Sequence, residues 1–161
     1  MNIIPKIQRV SEGAGRRVTE WIRMEEKDAL MLNPLQLAYM GDTVWEIMVR
    51  SRLIQQRKNV RNMHRECVES VNAGAQARFL AVIRDRLTET EFSVYHRGRN
   101  AHPHHASPRN QNPADYAEAT GFEAVLGFLY LTGQEERMRE LEKMIWDIPD
   151  AGKETDQPDR E

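Results

Sequence analysis

The chain has 161 residues, 40% hydrophobic and 30% charged, with a single cysteine and a formal net charge of −2. That length suits one domain with a sizeable core, while the lone Cys67 excludes an internal disulfide framework and suits a reducing cytoplasm. No stretch reads as a secretory signal or reaches membrane-spanning length, and the charge is uneven: residues 147–161 hold a net −4, which leaves +2 on residues 1–146 and lets clustered bases meet phosphates.

Residues 1–16 carry Pro5, Gly13 and Gly15 without sustained periodicity and read as a loose leader. A helix is expected from Arg17 to Met31, so residues 1–32 form a leader and helix ahead of a main domain at 33–146. Asn33-Pro34 is a start signal, with Asn as N-cap and Pro at the first helical position. The helix it opens should run to about Gln56. Leu37, Met40, Val44, Ile47 and Met48 recur at helical spacing. Leu35, Ala38, Asp42, Glu46 and Val49 form a second stripe, placing Asp42 and Glu46 on one face roughly 5–6 Å apart. Gly41 costs about 1 kcal/mol relative to Ala inside a helix, which points to close approach by another helix or a ligand beside Asp42.

A third helix is expected over Val60–Asn72, with Cys67 as a small core residue and His64 as a packed or hydrogen-bonding histidine. A short helix follows over Ala73–Arg86. Thr88 and Glu91 match a capping box, and the helix they start is expected to end near Tyr95. Residues 96–113, HRGRNAHPHHASPRNQNP, then read as one long irregular segment holding four of the five histidines. His102, His104 and His105 lack an accompanying Cys and a helix-borne spacing, which argues against a metal site. Arg97, Arg99 and Arg109 among polar neighbours fit phosphate contact better. Asn112-Pro113 repeats the start signal for an apolar helix over 113–132 that Gly133 ends, with Glu123 in mid-helix. A final amphipathic helix covers 134–146, and the composition of the acidic tail 147–161 predicts disorder. No segment reads as a strand, so the fold class is all-α, with six or seven helices.

Asp42 and Glu123 each interrupt an apolar helix. A carboxylate in a core is costly unless paired or neutralised. A salt bridge, from Arg50 or Arg61 to Asp42 for example, is the plain reading for each. Both acids lying beside small residues favours a shared cation instead. Oxygen-only donors select a hard ion, Mg²⁺ or Mn²⁺, and Mg²⁺ completes its shell with water and substrate phosphate. The chemistry this points to is phosphoryl or phosphodiester transfer.

The ordered segments GDTVWE (41–46), VNAGAQARFL (71–80), LTETEFSVYHRGRNA (87–101) and DYAEATGFEAVLGFLYLTGQEERMREL (115–141) closely resemble the Mini-ribonuclease 3 family, the short bacterial relatives of ribonuclease III that consist of the catalytic domain alone. The resemblance spans about residues 33–142. It implies a dimeric ribonuclease III-like helical fold and a Mg²⁺-dependent endoribonuclease, Mn²⁺ being a substitute. Such an enzyme cuts double-stranded RNA to leave 5′-phosphate and 3′-hydroxyl ends. Its expected substrate is precursor large-subunit ribosomal RNA in a ribonucleoprotein, in the cytoplasm and away from membranes. Asp42 matches the Asp of the family's Gly-Asp signature and Glu123 the Glu that joins it at the metal. Glu46 is a candidate either to supplement that shell or to bond a neighbouring helix. Arg97, Arg99 and Asn100 match the family's RGRN segment and, with Arg109, are the expected RNA-backbone contacts. Gly41, Val44 and Ile47 are candidates to face the partner copy. Where longer family members carry further acids, this chain has Leu35, Ala38 and Thr120, so the metal shell is expected to be thin. The short segment after Trp146 leaves no double-stranded-RNA-binding domain in this reading.

Two alternatives compete. One is a non-catalytic helical RNA-binding or ribosome-assembly protein that kept the fold. The other is an all-α metal-dependent nucleotide pyrophosphatase, whose paired glutamates have only Glu25-Glu26, in a solvated charge run, as a counterpart in the first half of the chain.

Overall fold

The structure, a computed structural model, describes residues 23–101 and 112–147. These residues form α1 (Glu26–Leu30), α2 (Pro34–Gln55), α3 (Val60–Val71), α4 (Ala73–Ile83) with a 3-10 turn at Arg84–Arg86, α5 (Glu89–Arg99), α6 (Pro113–Leu131) and α7 (Glu135–Trp146). No strand occurs among them, in keeping with the all-α expectation. Asparagine side chains start four of the helices by satisfying amides that the first turn leaves without partners. Asn33 Oδ1 accepts from Leu35 N at 2.9 Å, Asn59 from Asn62 N at 2.9 Å, Asn72 from Ala75 N at 2.9 Å and Asn112 from Ala114 N at 2.9 Å. Thr88 and Glu91 form the expected box: Glu91 N donates to Thr88 Oγ1 at 3.2 Å and Thr88 N to Glu91 Oε2 at 2.9 Å.

Two boundaries differ from expectation. Helix α1 starts only at Glu26, and residues 17–22 lie outside the described residues. Helix α5 does not stop near Tyr95 but continues to Arg99, so His96–Arg99 are helical rather than part of a loop. Gly98 explains the misreading. A Cβ there would sit 2.8 Å from Ala124 Cβ and 3.0 Å from Thr120 O, so this glycine permits close packing on α6 rather than breaking the chain. His102, His104, His105 and Arg109, like the acidic tail beyond residue 147, lie outside the described residues.

Helix α6 is the buried centre. Ala119, Phe122, Ala124, Val125, Leu126, Phe128 and Leu129 are all at or below 3% exposure, so it is covered on nearly every side. Trp45 of α2 is fully buried against it, its ring 5.1 Å from Phe122, 5.2 Å from Phe79 and 5.7 Å from Trp146, which brings α2, α4, α6 and α7 onto one aromatic cluster. The indole N–H is not stranded: Trp45 Nε1 donates to Ser70 O at 3.0 Å. A second tie joins α7 to the start of α5, where Arg137 Nε meets Glu91 Oε1 at 2.8 Å and Arg137 Nη2 donates to Arg86 O at 2.6 Å. Glu91 is 2% exposed. Burial raises its pKa, but the Arg137 and Thr88 bonds outweigh that and hold the carboxyl below its ordinary range.

Helices α2 and α6 cross backbone to backbone. A Cβ at Gly41 would overlap the Glu123 carbonyl oxygen and lie 2.9 Å from Gly127 N. A Cβ at Gly127 would overlap the Leu37 carbonyl oxygen and lie 3.0 Å from Gly41 N. The close approach inferred at Gly41 is therefore to another helix. It also corrects a second expectation: Gly41 and Val44 are buried inside the chain and are not free to face a partner, whereas Ile47 is exposed.

Because backbone cannot yield to a methyl group, Gly41→Ala should destabilise the protein by about 3 kcal/mol or more, the upper range for overpacking. Gly74→Ala is the control, since a Cβ there meets nothing closer than 3.5 Å. Thermal melts should show a large loss for the first and little change for the second; equal melting points would contradict the crossing.

Candidate active site

The glycine crossing decides where the two acids of interest lie. Asp42 follows Gly41 on α2, and Glu123 supplies the carbonyl that Gly41 touches on α6. Their carboxylates are close enough that Asp42 repels the charge on Glu123. Asp42 is not the core acid its apolar surroundings implied. Helix α2 buries Leu37, Ala38, Gly41, Val44, Trp45, Val49 and Leu53, while Tyr39, Asp42 and Thr43 are exposed. Asp42 thus stands at a solvent-facing edge with Glu123 partly buried beside it.

Both acids are held above their ordinary pKa. For Asp42 partial burial is the larger cause, with repulsion from Glu46 adding to it. Burial, and then repulsion from Asp42, push Glu123 up to about 8, against the opposing pull of a hydrogen bond from the Gln76 side chain. Among the described residues neither acid has an ion-pair partner, so the plain salt-bridge reading does not hold. Arg50 is committed to Glu46, with Nε at 2.9 Å and Nη2 at 2.5 Å from Oε1. That i,i+4 pair also occupies Glu46, which had been a candidate to supplement the metal shell.

The positions where longer relatives carry acids add none. Leu35 is half-buried, Ala38 is buried, and the Thr120 hydroxyl donates within its own helix to Tyr116 O at 2.9 Å. Among the described residues no cluster of three or more His, Cys, Asp or Glu is poised to hold a metal. What remains is a two-carboxylate, oxygen-only donor set whose charges repel and lack a counter-ion among the described residues. A hard divalent cation with an open shell fits such a pair, and repulsion between like charges is what that cation would relieve.

The arginines have other bonds. Arg97 Nη1 donates to Leu30 O and Nη2 to Leu32 O, both at 2.8 Å, which clamps the segment joining α1 and α2. Arg99 Nε reaches Glu118 Oε1 at 2.6 Å, and Tyr95 Oη donates to Glu118 Oε2 at 2.7 Å. Asn100 Nδ2 lies 3.0 Å from His96 Nδ1. Glu118 and Gln76 were missed in the sequence. Gln76 did leave a signal, as the one polar residue inside the small and apolar start of AGAQARFL.

The pKa of Glu123 sets a pH dependence. In the folded, metal-free chain it holds its proton up to about 8, whereas its ordinary value is 4.5. Folded protein therefore binds the proton more tightly, and this group's contribution to stability falls as pH rises from 4.5 to about 8. With chelator present, Glu123→Gln should melt several degrees above the parent at pH 8, and the gap should close below pH 4.5. A gap independent of pH would contradict the placement of Glu123.

Residues 35–134 match the Ribonuclease III domain. A Mini-ribonuclease 3 from Symbiobacterium thermophilum is 44% identical over 130 residues, covering 80% of this chain and 99% of that protein. A Mini-ribonuclease 3 from Clostridium tetani is 40% identical over 122 residues, covering 74% of this chain and 80% of its own. The crystal structure of a Fusobacterium nucleatum protein superposes with a TM-score of 0.66 at 27% identity, over 72% of this chain and 90% of that one. With the all-α fold and the α2–α6 acid pair in place, these matches put the chain in the ribonuclease III family, among the Mini-ribonuclease 3 endoribonucleases.

Proposed function

We propose that this endoribonuclease hydrolyses double-stranded RNA with a divalent cation, Mg²⁺ or in its place Mn²⁺, held by Asp42 and Glu123. The observation that carries the reading is that pair: two carboxylates set side by side by a backbone crossing, the charge of Asp42 repelling that of Glu123, with no ion-pair partner for either among the described residues. When bound there, Mg²⁺ supplies an activated water and stabilisation of the leaving 3′-oxygen. The chain's own part is to hold and orient. Asp42, at the exposed edge, meets the solvent from which substrate arrives, and Glu123 is partly buried beside it. The products are 5′-phosphate and 3′-hydroxyl ends, and the substrate is precursor large-subunit ribosomal RNA in a cytoplasmic ribonucleoprotein, as the family resemblance implies. Among the described residues no helix is long and apolar enough to cross a membrane.

RNA contact falls to Arg99, whose side chain is 44% exposed, with Asn100 beside it and Arg109 further along the chain. Arg99 would exchange part of its bond to Glu118 for a phosphate, which suits recognition of A-form RNA through its backbone and shape. Arg97, spent on two carbonyl oxygens, has a structural task instead.

The enzyme acts as a homodimer, one site for each RNA strand. Tyr39 is 82% exposed and Met31 85%, large apolar side chains that a second copy would cover. Tyr39 lies three residues before Asp42 on α2, so a two-fold contact there would bring two Asp42–Glu123 sites near each other across one duplex.

Three measurements check this reading. Asp42→Asn should melt no lower than the parent and keep its far-UV circular dichroism but lose cleavage of long duplex RNA by about 10³-fold, in the range for removing a principal charge at a reacting centre. A variant as fast as the parent would contradict the assignment. Arg99→Ala should weaken duplex binding and lower the slope of log affinity against log salt by about 1. An unchanged slope would remove Arg99 from the interface. Tyr39→Asp should sediment as a folded monomer, and a dimer of undiminished stability would place the interface elsewhere.

A further inference from the structure

Three polar or charged side chains are buried among the described residues: Gln76, Glu91 and Thr120. Two are explained locally. Glu91 caps α5 and pairs with Arg137, and Thr120 bonds back along its own helix. Gln76 is different. It is 1% exposed, sits on α4 between the buried Ala75 and Phe79, and spends its carboxamide on other helices. Its Nε2 donates to Val71 O, the last residue of α3, at 3.3 Å. Since a carbonyl only accepts, that bond fixes which end of the amide carries hydrogen. The carboxamide also acts on the carboxyl of Glu123 on α6, drawing its pKa down against burial and Asp42. A buried amide costs free energy unless its groups are bonded, and an apolar side chain of similar volume would fill the same space.

We propose that Gln76 is a positioning residue for Glu123: anchored by Val71 O, its second amide N–H holds one carboxyl oxygen of Glu123 so that the other is presented to the divalent cation shared with Asp42. The proposal rests on the reading that Asp42 and Glu123 hold that cation. It assigns α4 a role in the site although α4 contributes no carboxylate. Partners that orient a metal ligand without touching the metal commonly tune affinity strongly.

The test uses the full chain and Mn²⁺ alone as probe, followed by calorimetric titration and by the electron paramagnetic resonance of the free ion, without RNA. Gln76→Met keeps the length and volume of the side chain but has no amide. It should fold, as read by circular dichroism, and weaken Mn²⁺ binding by about 10–100-fold. In duplex cleavage, kcat should fall while KM for RNA stays unchanged. Gln76→Asn keeps the amide but draws it back by one methylene, so that it cannot span Val71 O and Glu123 together. It should show the same loss and gives the answer if the Met variant does not fold. If both variants that fold bind Mn²⁺ as the parent does, Gln76 does not position Glu123. The two readings separate through Asp42→Asn. Were it to bind Mn²⁺ as tightly as the parent, the shared-cation site itself would fail. Were it to lose Mn²⁺ while the Gln76 variants kept it, only the role of Gln76 would fall.

Discussion

The architecture depends on one contact, the crossing of α2 and α6 at Gly41 and Gly127. Each glycine faces a carbonyl oxygen of the other helix, Glu123 for Gly41 and Leu37 for Gly127, so neither position has room for a side chain. Removing side chains from a helix interior costs stability through backbone entropy, and here the return is an interhelical distance that larger residues would not allow. Helix α6 repeats the device on its other side. Gly121 lies against Tyr95 and Gly98 against Ala124, drawing α5 inwards. Around this centre, Trp45, Phe79, Phe122 and Trp146 fill the space between four helices.

The site follows from that geometry and from where positive charge is spent. Arg50 serves Glu46, Arg97 two carbonyls, Arg99 Glu118 and Arg137 Glu91. Each pairing commits an arginine to a group other than Asp42 or Glu123. Together they leave Asp42 and Glu123 as neighbouring carboxylates without a counter-ion among the described residues, one exposed and one mostly covered. In a lowered dielectric, like charges at close range cannot both be comfortable. The pair is thus a weakness of the apo protein and an asset only when a cation sits between. At Glu123 the repulsion from Asp42 adds to burial in holding the carboxyl above its ordinary range, whereas at Asp42 the causes are burial and Glu46.

How far the sequence reveals this depends on the kind of signal. Caps are local, so Asn33-Pro34, Asn112-Pro113 and the Thr88–Glu91 box are legible and correctly placed. Asp42 and Glu123 stand out because each breaks an apolar run. The exposure of Asp42 was not legible: α2 is apolar on more than one face, so periodicity cannot say which stripe is covered. Gly98 misled for a related reason, because a glycine reads as a stop until the helix packed on it is known. The roles of Arg97 and Gln76 join residues far apart in the chain and arise only from tertiary packing. The Glu46–Arg50 pair, by contrast, is an i,i+4 spacing that the sequence does display.

The account stands on Asp42 and Glu123 sharing a divalent cation. Anomalous diffraction from crystals of the protein soaked in Mn²⁺ tests that most directly. A manganese peak bridging the two carboxylates is the predicted result, whereas peaks confined to other carboxylates, with Asp42 and Glu123 untouched at saturating Mn²⁺, would contradict it.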